Sequence, residues 1–262
     1  MRKTYYILSL AFFLGFVSVY AQTDDTKKAD KYFQRLEYVK AIEEYEDLVE
    51  DGDGTPYIYH QLAEAYFNIY NTEKSEYYYK MYIQEADDVD GTVYYRYAQM
   101  LKANQKFDES NEAMKKFASK SPNDERAKAF KANPDYLPKL LSGDPKFTVD
   151  AISFNTELSD FGGYEYNDKL YFVSARNKSR RNYGWNDQPT LDVYVATKEN
   201  GEYQNPEELK GEVNSKYHEG TVSITPDGKT MFFTRNNYLD GDYEKSSEGI
   251  GKTGRSTAEK QH

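Results

Sequence analysis

The register of small and large residues between Gln22 and Pro122 constrains this chain more than any other feature. Ala29, Ala63 and Ala98 stand 34 and 35 residues apart. The same steps relate Tyr32, Tyr66 and Leu101, and Ala41, Ser75 and Ser110. They also relate Tyr45, Tyr79 and Met114, and Leu48, Tyr82 and Phe117. A recurrence held at so many positions predicts one supersecondary unit, used three times. Within each unit a small residue stands three before a large one, and a second small residue follows twelve after the first. That spacing predicts two helices crossing closely at the small residues, with the large side chains filling the space between successive pairs. Pro122 falls where the third unit should end, because proline stops a helix. The stretch 124–141, interrupted by Pro134 and Pro138, is expected to cap the last apolar face.

This pattern resembles the tetratricopeptide repeat, a helix-turn-helix of about 34 residues. Lys28 stands where that family usually has Leu, and Asp53 and Asp87 where it usually has Pro. In such repeats the first helix of each pair lines a concave groove that holds a partner segment. The resemblance puts Asp30, Phe33, Gln34, Tyr57, His60, Glu64, Phe67, Asn68, Tyr95, Gln99 and Lys102 on that groove. Aromatic rings mixed with hydrogen-bonding groups suit an extended peptide or a neighbouring protein surface.

Near Ser142-Gly143-Asp144-Pro145 the helical period ends. β-Branched and aromatic runs follow at 147–152, 169–174, 191–196, 220–225 and 230–234. Asn167-Asp168, Asn200-Gly201 and Pro226-Asp227-Gly228 supply turn signals between them. Leu170-Tyr171-Phe172 and Met231-Phe232-Phe233 stand 61 residues apart, followed by Arg176-Asn177 and Arg235-Asn236. A glycine-led strand is expected upstream of each, at Gly162-Gly163 and at Gly220. Pro226 presets a turn, Asp227 and Gly228 reverse the chain, and the flanking strands pair across it. The hairpin resembles the blades of WD-like propellers, with a small β-sandwich or meander as the alternative. A propeller needs about four or more blades to close, and residues 146–245 hold under two of this size. The expectation is an α+β multidomain chain. An N-terminal α-solenoid of three units occupies 22–142 and an incomplete β-propeller 143–245, as in a fragment of a longer protein.

At the start, Arg2 and Lys3 precede an apolar run from Tyr5 to Tyr20, and Val19-Tyr20-Ala21 suits a cleavage site. This is the grammar of a secretory signal peptide over 1–21. The run is shorter than the roughly 20 residues a spanning helix needs. From Ser246 the composition shifts, and 246–262 is expected to be a disordered or frameshifted tail. Within it, 249–254 matches a dinucleotide fingerprint by letters and 246–253 nearly matches a phosphate loop. Both chemistries need a buried strand before the loop and a helix after it, and the sequence offers neither. No nucleotide and no cofactor is therefore expected. The alternating carboxylates of Asp240, Asp242 and Glu244 lack the rest of a calcium loop. His60 and His218 have no metalloprotease or triad context, and His218-Glu219 is expected to order a turn between strands. No metal site and no catalytic set is expected, so the chain reads as a non-enzyme.

The chain carries 34 basic and 44 acidic side chains, a net charge of −10, which argues against broad nucleic-acid binding. It has no cysteine, which excludes disulfide frameworks, thiolate zinc sites and cysteine nucleophiles. Export without cysteine suits a bacterial envelope compartment.

Leader, helical repeats and Pro-Asp-Gly-Lys hairpin, in that order, resemble large proteins of the outer-membrane protein A family of Bacteroidetes. Residues 75–82, 160–163, 183–189 and 216–221 are of that type. In that family a β-sandwich and a peptidoglycan-binding domain follow, and one branch belongs to the type IX secretion system. The peptidoglycan-binding domain has no counterpart here, so wall anchoring carries over to no residue. The secretion lipoprotein of that branch needs an N-terminal cysteine, so a soluble form in the periplasm or at the inner face of the outer membrane is expected. The resemblance implies a non-enzymatic envelope scaffold that captures envelope proteins in its helical groove. The alternative is a carbohydrate-binding module that stacks sugars on Tyr183 and Trp185.

Overall fold

The computed structural model describes residues 24–134, 136, 142–144, 146–236 and 258–259. The expected leader, the tail strings at 246–254 and the carboxylates at 240–244 lie outside the described residues. After a short 3-10 turn at Asp24–Thr26 come α1 (Lys27–Gln34), α2 (Tyr38–Glu50), α3 (Pro56–Asn68) and α4 (Thr72–Glu85). Then follow α5 (Gly91–Ala103), α6 (Phe107–Lys120) and α7 (Glu125–Ala132). Side-chain caps open four of these helices: Thr55, Asn71, Asp90 and Asp124 each accept a backbone N–H from the first turn.

The repeat register survives in three dimensions. Ala41, Ser75 and Ser110 are fully buried where the two helices of a pair cross, opposite Ala29, Ala63 and Ala98. The Ser75 hydroxyl donates to the Ala63 carbonyl at 3.0 Å, and Ser110 to Ala98 at 2.8 Å. A larger side chain there would force the helices apart. The turns inside the pairs repeat as well. Leu36, Tyr70 and Gln105 have φ of 59°, 60° and 62°. Each begins the same two-bond closure: Leu36 N–H to Phe33 and Glu37 N–H to Tyr32, then Tyr70 to Phe67 and Asn71 to Tyr66. Gln105 to Lys102 and Lys106 to Leu101 complete the set. This is the Schellman ending, made here without glycine. The helix α7 stops before Pro134 and lays Ala127 and Phe130 against Phe117, Leu101 and Ala98. It covers the apolar face that the third pair would otherwise expose.

Six strands follow: β1 (Asp160–Tyr166), β2 (Lys169–Ser174), β3 (Asp192–Glu199), β4 (Glu202–Glu208), β5 (Glu219–Ile224) and β6 (Met231–Arg235). Ala258–Glu259 forms a two-residue β7 against β6. The first sheet runs β1-β2-β3-β4 and the second β5-β6-β7, all antiparallel. Asn167-Asp168 and Asn200-Gly201 turn with positive φ at both residues, as two-residue hairpins require. The sheets share a core of Val193, Val222, Ile224, Met231 and Phe233, with Tyr164, Tyr166 and Tyr171 packed on it. The Tyr164 and Tyr166 hydroxyls donate across to the carbonyls of Ile224 and Pro226. The opposite face of the first sheet buries Leu170, Phe172, Tyr194 and Ala196 under Phe154. Gly162, at φ +69° in a β1 bulge, lies so close to Thr221 that a Cβ would overlap its methyl.

One expected strand is absent, and one strand is unforeseen. The run 147–152 is not a strand, and Phe147 is 83 % exposed. Its alternation finds no neighbouring strand to pair with among the described residues. Conversely, β4 is a strand although its sequence, Glu-Tyr-Gln-Asn-Pro-Glu-Glu, is polar. It sits at the sheet edge, where Pro206 and charged side chains are tolerated.

Candidate partner-binding groove

Each predicted groove residue lies on α1, α3 or α5, the first helices of the three pairs. The polar ones are largely spent inside the protein. Asp30 is buried and accepts hydrogen bonds from Tyr45, from Tyr57 at 2.7 Å and from Thr26 at 2.9 Å. Glu64, one unit on, accepts from Tyr79 at 2.7 Å and pairs with Arg96. Asp30 and Glu64 are 34 residues apart, as are Tyr45 and Tyr79. The repeat therefore carries a buried acid on its first helix and a tyrosine donor on its second. In the third unit the same positions hold Gln99 and Met114, so the bracket is not repeated. Burial pushes the Tyr45 and Tyr79 hydroxyls well above the ordinary tyrosine range, and Tyr57 up to about 12. All three remain protonated donors to the carboxylates.

Two expected groove rings turn to the helix pairs instead. His60 lies 4.7 Å from the Tyr82 ring, and Tyr95 lies 5.2 Å from Phe117. These are equivalent contacts, and they fill the space between the helices of a pair. Arg126 of α7 covers Tyr95 further, at 4.2 Å. Burial, and secondarily Arg96, pull the His60 imidazole below its usual value. At neutral pH it is uncharged, so its 3.7 Å approach to Glu64 is no ion pair. Phe67 lies under the Arg96 guanidinium at 5.2 Å. Gln34 is exposed at the end of α1, and Lys102 meets the Tyr136 ring and hydroxyl. Gln61 and Arg96, missed in the sequence, share one repeat position beside His60 and Tyr95 and line the same face. Gln61 reaches the hydroxyls of Tyr45 and Tyr57, both at 3.4 Å.

At the edge of this face, where α2 starts and α3 ends, a segment of the chain itself is seated. The turn between β2 and β3 carries Gly184 and Trp185. The Trp185 indole meets Tyr38 edge to face at 4.9 Å, and Tyr38 in turn meets Phe33 at 5.3 Å. Its Nε1–H donates to the Asn68 carbonyl at 3.0 Å. The Asn68 side chain is turned back to the Glu64 carbonyl at 2.8 Å. Trp185 and Tyr183, which the alternative sugar-stacking reading joins, turn to different neighbours. Trp185 packs on the helices, while Tyr183 lies against His218 at 4.5 Å.

In the sheets, the Arg-Asn recurrence has acidic partners that the sequence did not reveal. Arg176 pairs with Asp160 at 2.8 Å and Arg235 with Glu219 at 2.9 Å. Each acid opens the first strand of a hairpin, and each arginine ends or follows the second. His218 accepts the Leu191 N–H on Nδ1, tying the start of β3 to the start of β5. Among the described residues no three metal-ligating side chains come together, and no helix is long and apolar enough to cross a membrane.

No family model and no curated protein matches this chain. Among solved structures, it is similar to the C-terminal part of a TPR repeat-containing protein from Cytophaga hutchinsonii, at 16% identity and a TM-score of 0.37. The match covers 43% of this chain and 46% of that one, so it spans less than half of either. A likeness that small decides nothing about the groove, whose reading rests on its own residues.

Proposed function

We propose that this chain is a non-enzymatic protein-interaction scaffold of the bacterial envelope, whose helical face holds a segment of a partner protein. The observation that supports it most is the seating of Trp185, because it is a protein segment held at the edge of that face, between the start of α2 and the end of α3, by a ring contact and a backbone carbonyl. The buried acid–tyrosine brackets favour the same reading, since they fix the helices before any partner arrives. The propeller part of the proposal is supported by the four-stranded antiparallel sheet and its packing on a second hairpin. Leader grammar and absent cysteine favour the periplasm or the inner face of the outer membrane. The resemblance to the outer-membrane protein A family extends the proposal to a longer chain. In that form the scaffold would act in peptidoglycan anchoring or type IX secretion.

The test uses co-precipitation from envelope fractions with the full chain. Gln61→Ala with Gln99→Ala trims the face without touching a buried bracket carboxylate, so the helical signal in circular dichroism stays. Partner recovery is expected to fall for this pair and to persist for Tyr77→Ala on the exposed side of α4. Unchanged recovery with the pair would overturn the proposal.

A further inference from the structure

The seat of Trp185 has features of a binding site rather than of a chance contact. Asn68 closes α3, so its carbonyl is one of those a helix end leaves without an internal partner. The turn that follows uses the carbonyls of Ala65, Phe67 and Tyr66 for its own bonds. The Asn68 oxygen therefore stays available to an outside donor, and the indole N–H takes it. The ring wall is Tyr38, backed by Phe33. One unit on, the position of Tyr38 is Thr72, so the next gap has no such wall. A small residue before the indole fits the space that the Glu37 side chain leaves. A Cβ on Gly184 would lie 2.8 Å from Glu37 Cγ and 3.6 Å from its Cα. The turn also carries bonds of its own, Tyr183 N–H to the Gln188 carbonyl at 2.7 Å and Asp187 N–H to the Tyr183 carbonyl at 2.8 Å.

We propose that this seat is a shared docking surface: a partner segment with a small residue followed by a tryptophan docks there by displacing the chain's own Gly184-Trp185 turn. The proposal rests on the groove reading above and names the chemistry of its partner. While Trp185 is seated, the β2–β3 turn covers that edge of the groove. When it is displaced, the groove opens and the hold of the helices on the β2–β3 turn is released. The competition is intramolecular, so the resident turn has the advantage of a high local concentration.

The chain has a single tryptophan, so its fluorescence reports this seat alone. The probe is a dye-labelled, end-blocked peptide of residues 182–188, Asn-Tyr-Gly-Trp-Asn-Asp-Gln, titrated into the full chain. Trp185→Ala is expected to bind it at least about tenfold more tightly than the unaltered chain, since the local competitor is gone. Adding Tyr38→Ala should abolish that binding, as should Trp→Ala in the peptide. Gly184→Val keeps the indole but crowds Glu37, so its emission should shift to the red and become open to acrylamide quenching. Equal or absent peptide binding in Trp185→Ala and the unaltered chain would overturn the proposal, as would an unchanged emission in Gly184→Val. If the peptide fails while the Gln61/Gln99 pair still loses its partner, the groove reading stands and the shared seat falls. If neither responds, both fall.

Discussion

Single carboxylates decide how the helical residues are used. A buried carboxyl group needs hydrogen-bond partners to replace the water it has lost. Asp30 and Glu64 find theirs in tyrosines on the neighbouring helix, which removes them from the surface a partner would see. The sequence displayed both members of the bracket in register, Asp30 with Glu64 and Tyr45 with Tyr79. It did not tell that the two rows meet, because a polar residue on the first helix can face the groove or its own pair. Tyr79→Phe should cost about 2 kcal/mol, the range of a buried hydrogen bond to a charged group. Tyr78→Phe should cost clearly less, because Glu46 is only half-buried and keeps Tyr66 and Lys74 as donors. Urea unfolding followed by helical circular dichroism compares the two, and equal losses would sink the bracket.

Elements divide into those written locally and those imposed by neighbours. The helix pairs were legible because small and large residues recur at fixed steps, and the two-residue hairpins because Asn, Asp and Gly announce positive φ. The edge strand β4 was not legible, since pairing with β3 rather than composition makes it a strand. The same holds for the acid–arginine pair that closes the β1–β2 hairpin. Burial alone would raise the Asp160 carboxyl. Hydrogen bonds from Ser174, Arg176 and Thr156 outweigh it and hold the group at about 2. A carboxyl depressed in the folded state stabilises fully above its unfolded value, and loses that contribution as pH falls through the folded one. The hairpin should thus lose on the order of 2 kcal/mol between pH 5 and pH 2. Amide hydrogen exchange in β1 and β2 reads this directly. Asp160→Asn should show a flatter profile over that window, and a parallel profile would refute the assignment.

At the scale of the whole molecule, three helix pairs and the cap α7 form one continuous stack, and two sheets share a second core. The Trp185 turn joins them across 117 residues of sequence, from the β2–β3 connection to the end of α3. No local pattern could place that contact, and in the sequence the lone tryptophan carried only the alternative reading, a surface for sugars. The most direct measurement puts a photocrosslinking amino acid in the full chain at Gln99, and separately at Tyr77, which is 55 % exposed on α4. The chain is then irradiated in the producing cell. A discrete adduct with another protein from position 99, and none from 77, is the predicted result. An adduct from 77 alone, or from neither, would contradict the claim that the helical groove carries the function.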